Sequence, residues 1–196
     1  VKPIQTRRHQ ASVSRAHIDM RRTMQNSLRN SELIPLQFKR QITRPPAIIV
    51  LCDISGSMAQ YSRMFLHFMH AMTNNGDRVH SFLFGTRLTN ISRYLRNKDV
   101  DLALEETAKA VEDWSGGTRI GFCLKQFNQH WSRRVLGQGA VVILLTDGLD
   151  RGEGQELGKQ MERLSKSCRQ LVWLNPLLRY KKFEPRAEGV RIMLPY

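Results

Sequence analysis

Residues 48–57 read Ile48-Ile49-Val50-Leu51-Cys52-Asp53-Ile54-Ser55-Gly56-Ser57. The apolar residues that open this stretch are typical of a strand buried on both faces of a sheet. The strand ends in the carboxylate of Asp53, and the hydroxyls of Ser55 and Ser57 follow at alternate positions. Such hard oxygen ligands suit Mg²⁺ or Mn²⁺, and neutral hydroxyls leave part of the charge of the cation unneutralised. The stretch therefore predicts a binding site that seeks a further anion from outside the chain.

Strands and helices alternate through most of the chain. We predict strands at 47–53, 78–84, 141–145, 171–174 and 190–194, a short strand within 87–91, and helices at 59–74, 99–112, 120–131 and 153–167. This alternation indicates an α/β fold with a mostly parallel sheet covered on both faces.

Residues 1–45 are predicted to form a basic N-terminal extension, ahead of a domain at 46–196. The extension holds ten Lys or Arg and two Asp or Glu, so it carries +8 of the formal net charge of +14. Residues 1–13 are expected to be irregular, and residues 33–46 extended or loop-like. A basic segment of this kind suits nucleic acid, anionic lipid or an acidic protein surface, or is simply a solvated or partner-bound helix.

One amphipathic helix is predicted inside this extension. Met20, Met24 and Leu28 recur every four residues, with arginines on the other faces. The helix is expected to run from a cap at Ser14 to about Asn30.

Composition limits the class of protein. No apolar stretch approaches the roughly 18 residues that span a bilayer, and no signal-peptide pattern opens the chain. The cysteines Cys52, Cys123 and Cys168 are widely spaced and odd in number, and none forms a metal-binding pair. A reducing, cytoplasmic compartment is the resulting expectation.

Oxygen-bearing side chains are predicted at the ends of several elements of the sheet. We expect Thr118 and Asp147 to lie near Asp53, Ser55 and Ser57, because ligands bind at the carboxyl ends of parallel strands. Each residue alone has a structural interpretation: Asp53 and Thr118 as helix caps, Asp147 as part of a turn. Together they outline an octahedral site.

These residues resemble the metal-ion-dependent adhesion site (MIDAS) of von Willebrand factor A (vWA) domains. The match consists of Asp53-x-Ser55-x-Ser57, Thr118 and Thr146-Asp147-Gly148. Longer segments are similar to the CoxE-like branch of that family, from about residue 15 to the end of the chain. They are Val50 to Asp53, Phe84 to Thr89, Asp113 to Gly121 and Leu171 to Leu177.

The resemblance implies a doubly wound, six-stranded sheet with one short antiparallel edge strand. It implies that Ser55, Ser57 and Thr118 contact the metal directly, while Asp53 and Asp147 bind it directly or through water. An acidic side chain of a bound protein would fill the sixth position.

The resemblance also implies a non-catalytic adaptor. CoxE-like proteins are expected to act with a MoxR-type AAA+ ATPase in the maturation of a metalloenzyme, such as a molybdenum hydroxylase of the carbon monoxide dehydrogenase type. Gly116-Gly117-Thr118 lacks the lysine of a Walker loop, so ATP would belong to the partner. Ser55 stands where an aspartyl phosphatase needs its second Asp, which argues against phosphoryl chemistry at Asp53.

A basic, nucleic-acid-binding vWA protein is the alternative function, motivated by a sequence pI near 10.4. It is less favoured, because aromatic residues are not interleaved with the basic ones in 1–45.

His67 and His70 lack a third ligand, so structural or interface roles are favoured over a soft-metal site. Around the predicted site, the candidate partner-binding residues are Tyr61, Arg119, Asp150 and Arg151, for which plain surface charge is an equal interpretation.

Overall fold

The structure is a computed structural model that describes residues 2–28, 35–76, 78–111, 117–137, 139–179 and 187–196. The chain divides into two compact units, residues 1–45 and residues 46–196. None of the helices in the described ranges is both long enough and apolar enough to span a membrane.

The N-terminal unit is a small antiparallel sheet with one helix. Its elements are β1 (Ile4–Ser12), β2 (His17–Ile18), α1 (Met20–Ser27) and β3 (Phe38–Arg44), and the strand order is β1-β3-β2. The residues predicted to be irregular at 1–13 therefore include a strand, since β3 provides a backbone partner for β1.

The helix of this unit is shorter than the sequence pattern predicts. It begins at Met20, because Asp19 accepts a hydrogen bond from the Arg22 backbone N–H at 3.2 Å and so provides the cap expected from Ser14. The preceding residues pair with β3 as β2. The predicted end near Asn30 lies outside the described residues.

The second unit contains the larger sheet. Its elements are β4 (Ile48–Asp53), α2 (Ala59–Asn75), β5 (Val79–Phe84), β6 (Leu88–Asn90), α3 (Val100–Ala110), α4 (Ile120–Gln126), a π-helical turn (Phe127–Trp131), α5 (Ser132–Val135), β7 (Val141–Leu145), α6 (Gly154–Ser167), β8 (Gln170–Leu174) and α7 (Glu188–Met193). The sheet has the order β6-β5-β4-β7-β8, and only the short edge strand β6 is antiparallel. The α/β fold and the antiparallel edge strand are confirmed.

The sixth strand is not present in the described part of this sheet, which has five strands. The predicted last strand at 190–194 is wrong, because these residues belong mostly to α7. Val190 and Met193 are buried three positions apart, which is the spacing of one helix face and not of one strand face.

The central strand β4 packs on both of its faces. Ile49 and Leu51 belong to one buried cluster with residues of α4 and α6, whereas Val50 and Cys52 belong to a second cluster with residues of α2. Burial on both faces explains the continuous apolar run of the sequence. The register pairs Cys52 with Leu145, so β4 and β7 end side by side.

Candidate metal centre

The carboxyl ends of β4 and β7 bring two acidic residues into the interior. Asp53 closes β4 and is 0% exposed, and Asp147 follows β7 and is 1% exposed. Carboxylates are rarely buried so completely unless other groups compensate their charge.

Hydrogen bonds fix the Asp53 carboxylate from three directions. Oδ1 accepts from the Ser55 backbone N–H at 2.8 Å and from Thr118 Oγ1 at 3.4 Å. Oδ2 accepts from Thr146 Oγ1 at 2.7 Å. The loop after β4, the start of α4 and the end of β7 are therefore joined at one side chain.

The remaining hydroxyls lie at the same edge of the sheet. Ser55 Oγ and Ser57 Oγ are 3.2 Å apart. Both residues line a cleft of about 400 Å³, together with Thr118, Arg151 and residues 187–189. The structure thus brings Asp53, Ser55, Ser57 and Thr118 together, as the sequence predicts.

Asp147 has one carboxylate oxygen that lacks a described partner. Oδ1 accepts from the Leu149 backbone N–H at 3.0 Å, whereas Oδ2 is buried with no hydrogen-bond partner in the described residues. A side chain of β8 and one just beyond it hold this loop: Trp173 Nε1 donates to the Thr146 carbonyl and Asn175 Nδ2 to the Asp147 carbonyl, at 2.9 and 3.1 Å.

The electrostatics of this site favour a cation. Burial raises the pKa of Asp53, hydrogen bonds from Thr146 and Ser55 lower it, and the charge of Asp147 raises it again. Two buried carboxylates lie at an edge that also carries hydroxyls, and one of their oxygens has no hydrogen-bond partner among the described residues. This set of hard oxygen atoms fits Mg²⁺ or Mn²⁺. Ligation of such an ion by these residues stays a prediction.

A site for a softer metal has less support. The described residues contain no group of three or more His, Cys, Asp or Glu that could hold a metal ion. His67 is exposed, whereas His70 is buried with Nε2 at 2.8 Å from the Asn97 carbonyl oxygen and 3.1 Å from Asn74 Nδ2. The structural interpretation of His70 is therefore favoured.

The model of VWA domain containing CoxE-like proteins matches residues 1–196, which is the whole chain. The chain belongs to this CoxE-like family. No curated protein matches it.

Several solved structures are similar to this CoxE-like chain. A von Willebrand factor type A protein from Catenulispora acidiphila is 16% identical with a TM-score of 0.50, over 79% of this chain and 38% of that one. An aerotolerance-related membrane protein from Bacteroides fragilis is 15% identical with a TM-score of 0.46, over 74% and 79%. Proximal thread matrix protein 1 from the mussel byssus, with a zinc-occupied MIDAS motif, is 20% identical with a TM-score of 0.37, over 66% and 43%. The likeness to the Catenulispora protein shows the fold alone.

The two arginines that were predicted to bind a partner of the CoxE-like domain differ in their position relative to the cleft. Arg151 is exposed and lines the cleft, where Nη1 lies 3.0 Å from the position that a Cβ would take at Gly117. Its backbone N–H donates to the Thr118 carbonyl at 3.0 Å. Arg119 is also exposed, but its guanidinium lies 5.2 Å from the ring centroid of Phe122, and it is not among the described residues that line the cleft.

The other two partner candidates have structural contacts. Tyr61 is half-buried on α2, with its ring centroid 6.3 Å from that of Phe65, and it is not among the described lining residues. Asp150 does line the cleft, but its carboxylate accepts from the backbone N–H groups of Ile120 and Gly121 at 2.8 and 3.4 Å. Asp150 therefore stabilises the start of α4.

Sequence reasoning left out three residues that shape the site. Thr146 was part of the quoted motif but was not assigned to the site, although it precedes Asp147 at a strand end. Asn175 directly follows β8, so the rule that ligands bind at strand ends also points to it. Glu188 lines the cleft at the start of α7, and the incorrect strand at 190–194 concealed it.

Proposed function

We propose that this chain is a non-catalytic, divalent-cation-dependent protein-binding adaptor. In this proposal Asp53, Ser55, Ser57, Thr118 and Asp147 hold Mg²⁺ or Mn²⁺. The observation that carries it is the buried Oδ2 of Asp147, which has no hydrogen-bond partner among the described residues, and the effect of the Asp147 charge on the buried Asp53 carboxylate, whose pKa it raises. Two buried like charges of this kind cost folding free energy, despite the hydrogen bonds they accept, unless a cation neutralises them.

The residues around the cation have distinct tasks. Asp53 and Asp147 supply the negative charge, while the hydroxyls of Ser55, Ser57 and Thr118 are neutral ligands. When bound, the cation supplies a positive centre at the floor of the cleft that attracts a carboxylate of the partner. Arg151 adds a second positive charge at the wall of the cleft, which favours an acidic partner side chain.

Several contacts argue against phosphoryl chemistry at Asp53. Both of its oxygens accept hydrogen bonds from the protein itself. Ser55 occupies the position at which a phosphatase of this motif type has an acid–base carboxylate. Asp150, another acid at the cleft, is held by backbone N–H groups of α4.

A MoxR-type AAA+ ATPase is the proposed partner, and a metalloenzyme such as a molybdenum hydroxylase the proposed client. Membership of the CoxE-like family supports this assignment. The free thiols Cys52 and Cys168 support the proposed cytoplasmic compartment.

Binding to the purified MoxR-type ATPase of the same source tests the proposal. We expect the wild-type chain to bind in Mg²⁺ and to lose binding in EDTA, and Asp53→Ala to fail in both, while circular dichroism shows that it is folded. Asp101→Ala is the matched control, because Asp101 is an exposed acid on α3 that does not line the metal cleft. Equal binding in Mg²⁺ and in excess EDTA contradicts the proposal.

A further inference from the structure

The helix of the N-terminal unit exposes an apolar stripe. Met20, Met24 and Leu28 are 61%, 64% and 89% exposed. Because they are spaced four residues apart, they lie along one side of α1 and its C-terminal cap. The side that packs within the unit is a different one: Thr23 is 4% exposed, and its Oγ1 accepts from the Gln37 backbone N–H at 3.0 Å.

The rest of the unit has little buried surface of its own. Thr23 is the only buried residue in its described part, residues 2–28 and 35–45. Val13, Ile18 and Leu36 are exposed as well. Exposed apolar side chains that are aligned on one side of a helix, like Met20, Met24 and Leu28, mark a surface that another molecule covers.

The described part of the same unit also carries exposed positive charge. Seven cations of the described unit are exposed: Lys2, Arg7, Arg8, Arg15, Arg21, Arg22 and Arg40. None of them forms an ion pair with a described carboxylate. Arg21 follows Met20 directly, so the stripe has a cation at its border.

We propose that the N-terminal unit binds the surface of anionic lipid bilayers. The side chains of Met20, Met24 and Leu28 enter the boundary between headgroups and acyl chains, and the exposed arginines contact lipid phosphates. This combination of one apolar side with a basic remainder is the pattern of helices that lie in a membrane interface. The charge excess of this unit is complementary to the negative potential of such a surface.

Other binding partners account for fewer features of this surface than an anionic bilayer does. A nucleic acid would use the cations and leave the apolar stripe exposed. A second copy of the chain would bring two units of charge +8 together. The proposal is independent of the metal centre, since it involves none of the residues assigned there.

Sedimentation of the full chain with lipid vesicles tests this inference. The vesicles contain phosphatidylcholine alone or phosphatidylcholine mixed with phosphatidylglycerol, and EDTA is present. We expect binding to the anionic vesicles only, with release as salt is added. Asp53→Ala should bind them like wild type, which separates this inference from the proposed function.

Two sets of variants measure the separate contributions of the apolar stripe and of the arginines to vesicle binding. Met20→Gln/Met24→Gln/Leu28→Gln keeps good helix formers and should weaken binding at least about tenfold, because the apolar contact is lost. Arg21→Gln/Arg22→Gln should weaken it about fivefold for each arginine removed. Met64→Gln/Phe68→Gln is the matched control, since these α2 residues are 57% and 42% exposed and should not affect binding.

Three results overturn the inference. The first is no binding to anionic vesicles at low salt, and the second is equal binding to both vesicle types. The third is salt-sensitive binding that the triple glutamine variant keeps undiminished. Cations alone would then account for the binding, as on a nucleic acid or an acidic protein.

Discussion

Thr146 Oγ1 donates a 2.7 Å hydrogen bond to Asp53 Oδ2, which joins two side chains 93 positions apart in the sequence. The same hydroxyl accepts from the Gly148 backbone N–H at 3.1 Å. Thr146 thus orients the Asp53 carboxylate and also holds the loop that carries Asp147. We interpret Thr146 as a positioning residue of the proposed metal centre.

Thr146→Val should weaken Mg²⁺ or Mn²⁺ binding by about tenfold or more, because groups that orient metal ligands typically contribute that much. Valine has a similar shape but neither donates to Asp53 nor accepts from Gly148. Isothermal titration calorimetry measures the effect. Thr146→Ser keeps the hydroxyl and should stay within a few-fold of wild type; a serine variant as weak as the valine variant would contradict this role.

Asp53→Asn should stabilise the protein in EDTA and abolish its response to Mg²⁺. Burial raises the folded-state pKa of Asp53 above its unfolded value, so the stability it contributes is present at low pH and is lost as the pH rises. A neutral amide removes that cost at neutral pH. Thermal melts should show a higher Tm for the variant in EDTA, and a Tm that rises with Mg²⁺ only for wild type. A lower Tm for the variant in EDTA contradicts this prediction.

Asp150→Ala should destabilise the fold by about 1 kcal/mol, as the loss of a helix cap does. Ile120 and Gly121 would lose the acceptor for their backbone N–H groups at the start of α4. Chemical denaturation measures the change. Asp150→Asn retains an acceptor and should recover most of the stability. If both variants keep wild-type stability, the cap assigned to Asp150 is wrong.

The sequence was sufficient to predict the centre of the fold and the proposed ligands. Apolar runs at 48–52 and 141–145 leave no polar face and lie between helical patterns, which favours parallel strands covered on both sides. The carboxyl ends of neighbouring parallel strands meet at one edge, which predicts the proximity of Asp53 and Asp147 before any coordinates exist. These features depend on local pattern and simple topology.

Features that depend on tertiary partners were not predicted. Residues 4–12 have no strong alternation, and they form β1 because β3 offers a pairing edge. A short apolar segment such as 190–194 is compatible with a strand or a helix, and the packing of Val190 and Met193 decides in favour of α7. The role of Asp150 depends on a helix start 30 positions earlier.

Gly189→Ala should destabilise the protein by about 1–3 kcal/mol and weaken cation binding. A Cβ at Gly189 would clash with the Gly148 carbonyl oxygen, which is backbone, so the loop that carries Asp147 has to shift. Gly158→Ala is the matched control within α6, where, among the described residues, the Cβ would meet only the Ile192 side chain, at 3.4 Å. It should leave cation binding unchanged and raise stability by about 0.5–1 kcal/mol. Equal effects of the two alanines on cation affinity contradict the prediction.

Charge reversal at the two arginines should affect partner binding very differently. Arg151 lines the cleft beside Gly117, whereas Arg119 lies against the Phe122 ring. Arg151→Glu places a negative charge where the partner carboxylate enters, and we expect the affinity for the ATPase to fall at least about tenfold.

Arg119→Glu makes the same change in net charge and should alter that affinity only about two- to threefold, through long-range electrostatics that salt screens. Surface plasmon resonance at two salt concentrations distinguishes the two effects. Mg²⁺ affinity, measured separately, should change little in either variant, because neither guanidinium is a proposed ligand. Equal losses for the two variants would mean that net charge, and not the position of Arg151 at the cleft, attracts the partner.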